Sequence, residues 1–453
     1  MYDESLIPAE HEIYGWIERV FSQGVRRPGY PADVWTEDFV VERFNELGLQ
    51  NVRREPVELL RWEPRSATLT VTPAGGEPIA IACFPAPLAA PTPELRARLV
   101  AFDHDAPGSA AGAASLYDVT LLKTPYGFFS HIATSEYDPD ASFAGAAHLV
   151  PFGREIQDVM EPSIEAGAVA FVGVLAGYPG DSREYYVPYD AKQRPIPGVW
   201  ISGSDGARLH EMLSRGDVDV TLRADTVQPQ VTTYNIIGEL PGADDETVII
   251  GSHHDGPWAS AVEDASGVAL VLAQATYWSR VPQQQRPHRL VFLMNSGHMF
   301  AGAGAKAYCE QHAGELERCV LEVHLEHAAE EFDELDGELR STGQPVARWW
   351  FTSRIPALEA TVQSAIEAED MRRSFVLPPT ALGPRPTTDG SEFFLYNVPI
   401  VNFLAAPFYL FDSMDTLDKI HRPTLVPLTR ATIRIIDSTA GVTAAQMRAG
   451  ATL

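Results

Sequence analysis

The architecture turns on Thr247-Val248-Ile249-Ile250-Gly251-Ser252-His253-His254-Asp255, followed by Glu263-Asp264-Ala265-Ser266-Gly267. An apolar run ends in His-x-Asp, and an acidic pair stands just before a helix that begins near Ser266. Imidazole and carboxylate groups gathered where a strand stops and a helix starts are how a metal site is built in an open α/β sheet.

Outward from that stretch, strands and helices alternate from Thr232 onward. The apolar runs predict strands at Tyr234–Leu240, Thr247–Ser252, Arg289–Asn295, Val320–Glu326 and Ile400–Leu404. Helices are predicted at Ser266–Ser279, Gly302–His312, Ile355–Glu367 and Pro423–Met447. That rhythm is the pattern of an α/β protein, with a mostly parallel mixed sheet and helices on both faces. Upstream, helical spacing covers residues 9–23 and Thr36–Leu47, with Gly48 as a stop. Short strands follow at Ala67–Val71 and Ile79–Cys83, then a Pro-rich connector over Phe84–Pro93. Residues 95–225 read as a separate block of short strands with aromatic clusters (Tyr126, Phe128, Phe129, Tyr137, Phe143; Tyr185, Tyr186, Tyr189), which either pack or line a cleft.

A chain of 453 residues favours two domains over one. A net charge of −27 disfavours nucleic acid and anionic membrane surfaces as partners, since both require basic patches. Cys83, Cys309 and Cys319 form no Cys-x-x-Cys, which argues against a thiolate zinc site or a disulfide framework. Met1-Tyr2-Asp3-Glu4-Ser5 is acidic and lacks a secretory apolar core, and no apolar run approaches a membrane span, so a cytoplasmic location is expected.

Five segments, in order, carry a resemblance: Arg26-Arg27-Pro28-Gly29 before a helix; Ser163-Ile164-Glu165-Ala166-Gly167-Ala168-Val169-Ala170; Ile196-Pro197-Gly198-Val199; Thr233-Tyr234-Asn235-Ile236-Ile237-Gly238-Glu239-Leu240-Pro241-Gly242; and Asp415-Thr416-Leu417-Asp418-Lys419-Ile420. Together they resemble the co-catalytic zinc aminopeptidases, especially relatives with an inserted protease-associated domain such as glutamate carboxypeptidase. The resemblance implies a discontinuous metallopeptidase-like α/β domain over 1–62 and 226–453, with a smaller β-rich apical insert over 63–225.

Carried over residue by residue, the resemblance makes His253 a metal ligand and Asp255 the group that orients it. Glu263 stands where the family has a bridging Asp, one methylene shorter. Glu326 falls at a carboxylate ligand position, and Asp389, in Thr387-Thr388-Asp389-Gly390-Ser391, near the specificity pocket. The family's Glu-Glu pair, general base and ligand, is replaced by Gly297-His298, and its last histidine ligand by Phe411. Glycine cannot take a proton from water, and a phenyl ring cannot bind zinc.

The surviving groups favour one divalent ion held by His253, Glu263 and Glu326, with His298 as a fourth ligand or as the replacement base. Zinc is the first expectation, with iron or manganese as alternatives. Asp264 is the other candidate base; His254 and His327 are weaker ones, expected to pack or face solvent. Trp258 either walls the pocket or packs. The leading expectation is a divergent metal-dependent hydrolase of amide or peptide-like bonds in a small molecule or short peptide-like substrate. Two alternatives stand beside it: a metal-dependent lyase or isomerase, and a pseudo-peptidase that binds without catalysis. Homodimers are common among such relatives, but no interface is legible.

Overall fold

The computed structural model describes residues 3–151 and 157–450; Met1, Tyr2, residues 152–156 and residues 451–453 lie outside it. Among the described residues, a nine-stranded sheet organises most of the chain. Its centre is parallel: Thr247–His253 lies between Arg289–Asn295 and Cys319–Leu325, and Cys319–Leu325 pairs with Ile400–Ala405. Antiparallel pairings take over outward, through Gln230–Leu240 and Gln50–Leu60 on one side and Arg348–Thr352 on the other. Strands covered on both faces read as continuous apolar runs, which is why Thr247–His253 is buried at every position.

Helix Gly267–Arg280 shows the same logic. Its Val268-Ala269-Leu270-Val271-Leu272-Ala273 run is apolar all round, and the helix is buried from Gly267 to Trp278. Helix Pro31–Glu46 starts earlier than Thr36 because Pro31 occupies its first turn, where the missing N–H costs nothing. The single helix expected over Pro423–Met447 is two, Leu425–Asp437 and Ala444–Ala449, separated by a turn that includes Gly441 at φ 75°.

A second sheet of eight strands has its own apolar core, including Leu69, Val71, Leu116, Val172, Ile201, Val220 and Leu222. Residues 122–150 do not all stay with it. Ser135–Tyr137 pairs with Ser374–Leu377 as the outermost strand of the nine-stranded sheet, and Tyr126, Phe129 and Phe143 pack with Trp349 and Phe375. The Phe84–Pro93 connector contributes Phe84–Pro85 as an edge strand and the start of Thr92–Ala101.

The two sheets meet through a guanidinium among aromatic rings. Arg27 lies 4.6 Å from the Trp258 ring and 5.1 Å from those of Trp62 and Tyr186. Trp258 itself donates to the Phe411 carbonyl (3.2 Å) and packs on Phe84, so it belongs to this junction. No described helix is long and apolar enough to cross a membrane.

Candidate metal centre

Every expected ligand comes from the carboxyl edge of the parallel strands. His253 ends its strand, Glu263 sits in the connection to helix Gly267–Arg280, Glu326 follows Cys319–Leu325, and His298 follows Arg289–Asn295. Arg26 holds the loop that carries them: its buried guanidinium donates to the carbonyls of His254 (3.2 Å), Ala259 and Ser260 (2.9 Å). Asp415 grips the same loop from the other side, accepting from the N–H groups of Val262 (2.8 Å) and Glu263 (2.9 Å).

Three imidazoles converge on Glu263. His253 and His298 each place Nε2 3.5 Å from its Oε1, and His327 places Nε2 2.6 Å from its Oε2. Each ring is tethered through the opposite nitrogen. Nδ1 of His253 donates to the Asp255 carbonyl (2.9 Å), that of His298 to Asp389 Oδ1 (2.9 Å), and that of His327 to the Ala405 carbonyl (2.6 Å). This is how metal-binding histidines are oriented: one nitrogen fixed, the other presented to the ion.

The groups facing one another are close but not aligned as hydrogen bonds. His253 Nε2, His327 Nε2, both Glu263 oxygens and Glu326 Oε1 are buried without a hydrogen-bond partner. Five unpartnered atoms on four convergent polar side chains are costly in an apolar interior unless a cation joins them. One atom from each of His253, Glu263 and His327, and likewise from His253, His298 and Glu326, lies within 4.8 Å of its companions. The 3.5 Å separations match the edge of a tetrahedron whose ligands stand about 2.0–2.1 Å from zinc. The donor set fits a divalent ion.

Electrostatics reflect the crowding. Burial drives His253 well below the ordinary histidine range, and the neighbouring His298 and His327 add to this. Burial also works against His327, but Glu263 and Glu326 win and lift it to about 9. For His298 burial is likewise outweighed, by Asp389 first and then Glu263, leaving it well above the ordinary range.

Two expected roles change. It is the backbone carbonyl of Asp255, not its carboxylate, that fixes the His253 tautomer. The carboxylate accepts from the N–H groups of His298 (3.0 Å) and Met299 (2.8 Å), and so anchors the turn that presents His298. Asp264 is held at the start of the helix, accepting from Ser252 Oγ and from the N–H of Gly267 (2.8 Å), with Oδ2 3.9 Å from His253 Nε2. His327, expected to be peripheral, is buried within the cluster. His254 is buried as well, but on the other side of the strand end, against Asp33.

On the open side of His298 lies a cleft of about 460 Å³, lined by Tyr189, Asp190, Leu382, Arg385, Asp389 and Glu392 among others. Tyr189, carried by the chain of the second sheet, stacks on His298 (5.7 Å) and lies tilted against Phe411 (4.9 Å). His298 thus stands between the cluster and the cleft.

Residues 235–436 match the model of peptidase family M28. A probable leucine aminopeptidase 2 from Aspergillus oryzae is 28% identical over 229 residues, covering 47% of this chain and 42% of the relative. A probable leucine aminopeptidase 2 from Trichophyton verrucosum is 36% identical over 110 residues, covering 24% and 22%. The matched segments therefore span less than half the length of these relatives. Among solved structures, a peptidase M28 precursor from Shewanella amazonensis superimposes with a TM-score of 0.72 at 21% identity, covering 94% of this chain and 92% of that one. A zinc aminopeptidase from Bacillus subtilis gives 0.65 at 16% identity, covering 95% of each. The family match is confined to residues 235–436, while the fold is shared with these structures along nearly the whole chain.

Proposed function

We propose that this chain is a metal-dependent hydrolase that cleaves an amide or peptide bond of a small substrate, using one divalent ion, zinc first among the candidates. The observation that carries this reading is the convergence of Nδ1-tethered imidazoles on the unpartnered oxygens of Glu263. In it, His253, Glu263 and Glu326 hold the ion and His327 completes the set. The ion, when bound, supplies a Lewis acid and an acidified water.

The protein supplies the proton handling. His298 is the imidazole of the cluster that also lines the cleft, so it is the group that can exchange a proton at Nε2 with a substrate. Asp389, 2.9 Å from Nδ1, fixes its tautomer and stabilises its charged form. The cleft beyond has apolar walls at Leu382 and Pro384 and charged groups at Asp190, Arg385 and Glu392, a size and mix suited to a short peptide. The names of the curated relatives favour an unblocked amino-terminal residue, with leucine as the first side chain to try.

The test is zinc content and turnover of leucine p-nitroanilide and Leu-Gly by the wild type, His253→Ala and His298→Gln. We expect about one zinc per chain in the wild type and in His298→Gln, and none in His253→Ala. Turnover should fall by about 10²–10⁴ in His298→Gln. Full turnover by His298→Gln would remove its proton role. A zinc-free wild type that takes up none of the three metals would remove the hydrolase reading.

A further inference from the structure

We infer that His324 is a positioning residue for the metal ligand Glu326, and that a buried relay continuing through Glu322, Asn402 and Thr388 fixes the direction in which that carboxylate points. The inference rests on the metal-binding reading above. It starts from an alternation in sequence: Glu322, His324 and Glu326 recur every second residue, so the strand Cys319–Leu325 and the position after it place all three on one face. Their exposures are 0%, 0% and 1%, between the strands Thr247–His253 and Ile400–Ala405, which are buried at every position.

Contacts link them in sequence. Glu326 Oε1 faces His324 Nε2 at 3.0 Å, a charge contact not aligned as a hydrogen bond, and His324 Nδ1 donates to Glu322 Oε1 at 3.0 Å. Glu322 Oε2 accepts from Asn402 Nδ2 at 2.8 Å, and Asn402 Oδ1 accepts from Thr388 Oγ1 at 3.0 Å. Thr388 precedes Asp389, whose carboxylate tethers His298. The relay therefore runs under the cluster and reaches the support of the imidazole on its far side.

The backbone makes room for this relay at two glycines. A Cβ on Gly251, in the neighbouring strand, would stand 3.3 Å from His324 Nδ1, and one on Gly390 would stand 2.4 Å from Asn402 Nδ2. Stability alone does not account for the arrangement, because well-packed apolar side chains serve a core as well as or better than buried ionic groups. A fixed carboxylate direction does account for it: groups that hold a ligand in place raise metal affinity without touching the metal.

The experiment measures zinc affinity of the chelator-stripped full-length protein by competition with a chromophoric chelator. It compares the wild type, His324→Leu, His324→Gln and, as a control, His288→Leu. His288 is an equally buried histidine held by Asp244 (2.8 Å) and the Thr439 carbonyl (2.8 Å), at the opposite end of the sheet. The inference predicts that His324→Leu weakens zinc by about 10–100-fold. His324→Gln, which keeps a polar side chain between Glu322 and Glu326, should recover part of that loss, and His288→Leu should leave affinity unchanged. Unchanged affinity in His324→Leu overturns the inference, as does an equal loss in His288→Leu, which would mark a general loosening. Should His324→Leu fail to fold, Glu322→Gln takes its place: it keeps the shape of the relay, and unaltered affinity there overturns the inference equally. A wild type that binds no zinc brings down the metal reading itself, and that result appears before any variant is compared.

Discussion

His253 and His254 are neighbours in sequence, yet they enter two buried acid–imidazole clusters of opposite character. Around His253, the facing nitrogens and carboxylate oxygens lack partners. Around His254 the polar groups pair with one another. Nδ1 donates to Asp33 (2.7 Å), Nε2 donates to the Tyr234 carbonyl (2.9 Å), and Glu37 accepts from Thr233 (2.7 Å) and the N–H of Tyr234 (3.0 Å). Both clusters bring their ligand atoms close enough for an ion. Proximity of histidine and carboxylate therefore does not separate a metal site from a structural ion pair; hydrogen-bond accounting does.

Zinc should act on the two clusters most unequally. Added to stripped protein at a thousandfold excess over Kd, it should raise unfolding free energy by about 4 kcal/mol, read from thermal melts with and without metal. Glu263→Gln should abolish the gain and His254→Gln should preserve it. A gain lost in His254→Gln would show that the two clusters act as one. The next effect in size is a pH dependence. Burial alone would lower His254, but Asp33 and then Glu37 lift it to about 9 from an ordinary 6.5. A raised folded pKa contributes stability that is complete below about pH 6.5 and is lost as pH rises through about 9. The shift corresponds to roughly 3 kcal/mol. Urea unfolding of metal-free protein between pH 6 and 10 should show that loss in the wild type and its absence in His254→Gln. Parallel slopes in the two proteins would remove His254 as the source.

Legibility in sequence follows the same physical divide. The central strands were readable because burial on both faces makes them unbroken apolar runs, as at Arg289–Asn295. Ser135–Tyr137 was not: it is short and polar, and it becomes a strand only through a partner more than two hundred residues away. In the site, His253, Glu263, His298 and Glu326 all stand at strand ends or helix starts, where the pattern directs attention. His327 was underrated because alternation along a strand sends it away from the face of Glu326. Its left-handed backbone (φ 60°) breaks that alternation and turns the ring back into the cluster. The partnering that separates His254 from His253 depends on Asp33 and Tyr234, which only the fold brings near.

The smallest predicted effect tests whether the second cluster is structural through and through. Thr233 Oγ1 lies 2.7 Å from Glu37 Oε1 and 2.8 Å from Ser296 Oγ, which joins helix Pro31–Glu46 to the chain beyond Arg289–Asn295. Thr233→Val keeps the shape and deletes the hydroxyl, leaving Glu37 with the Tyr234 N–H alone among these donors. Losing one buried hydrogen-bonding group costs about 1–2 kcal/mol, which chemical denaturation resolves. Zinc affinity should not move, because no atom of the first cluster touches this hydroxyl. A shift in zinc affinity greater than about threefold, less than 1 kcal/mol of coupling, would mean that the wall between the clusters transmits strain. In that case His254 and its carboxylates would have to be counted among the groups that shape the metal centre.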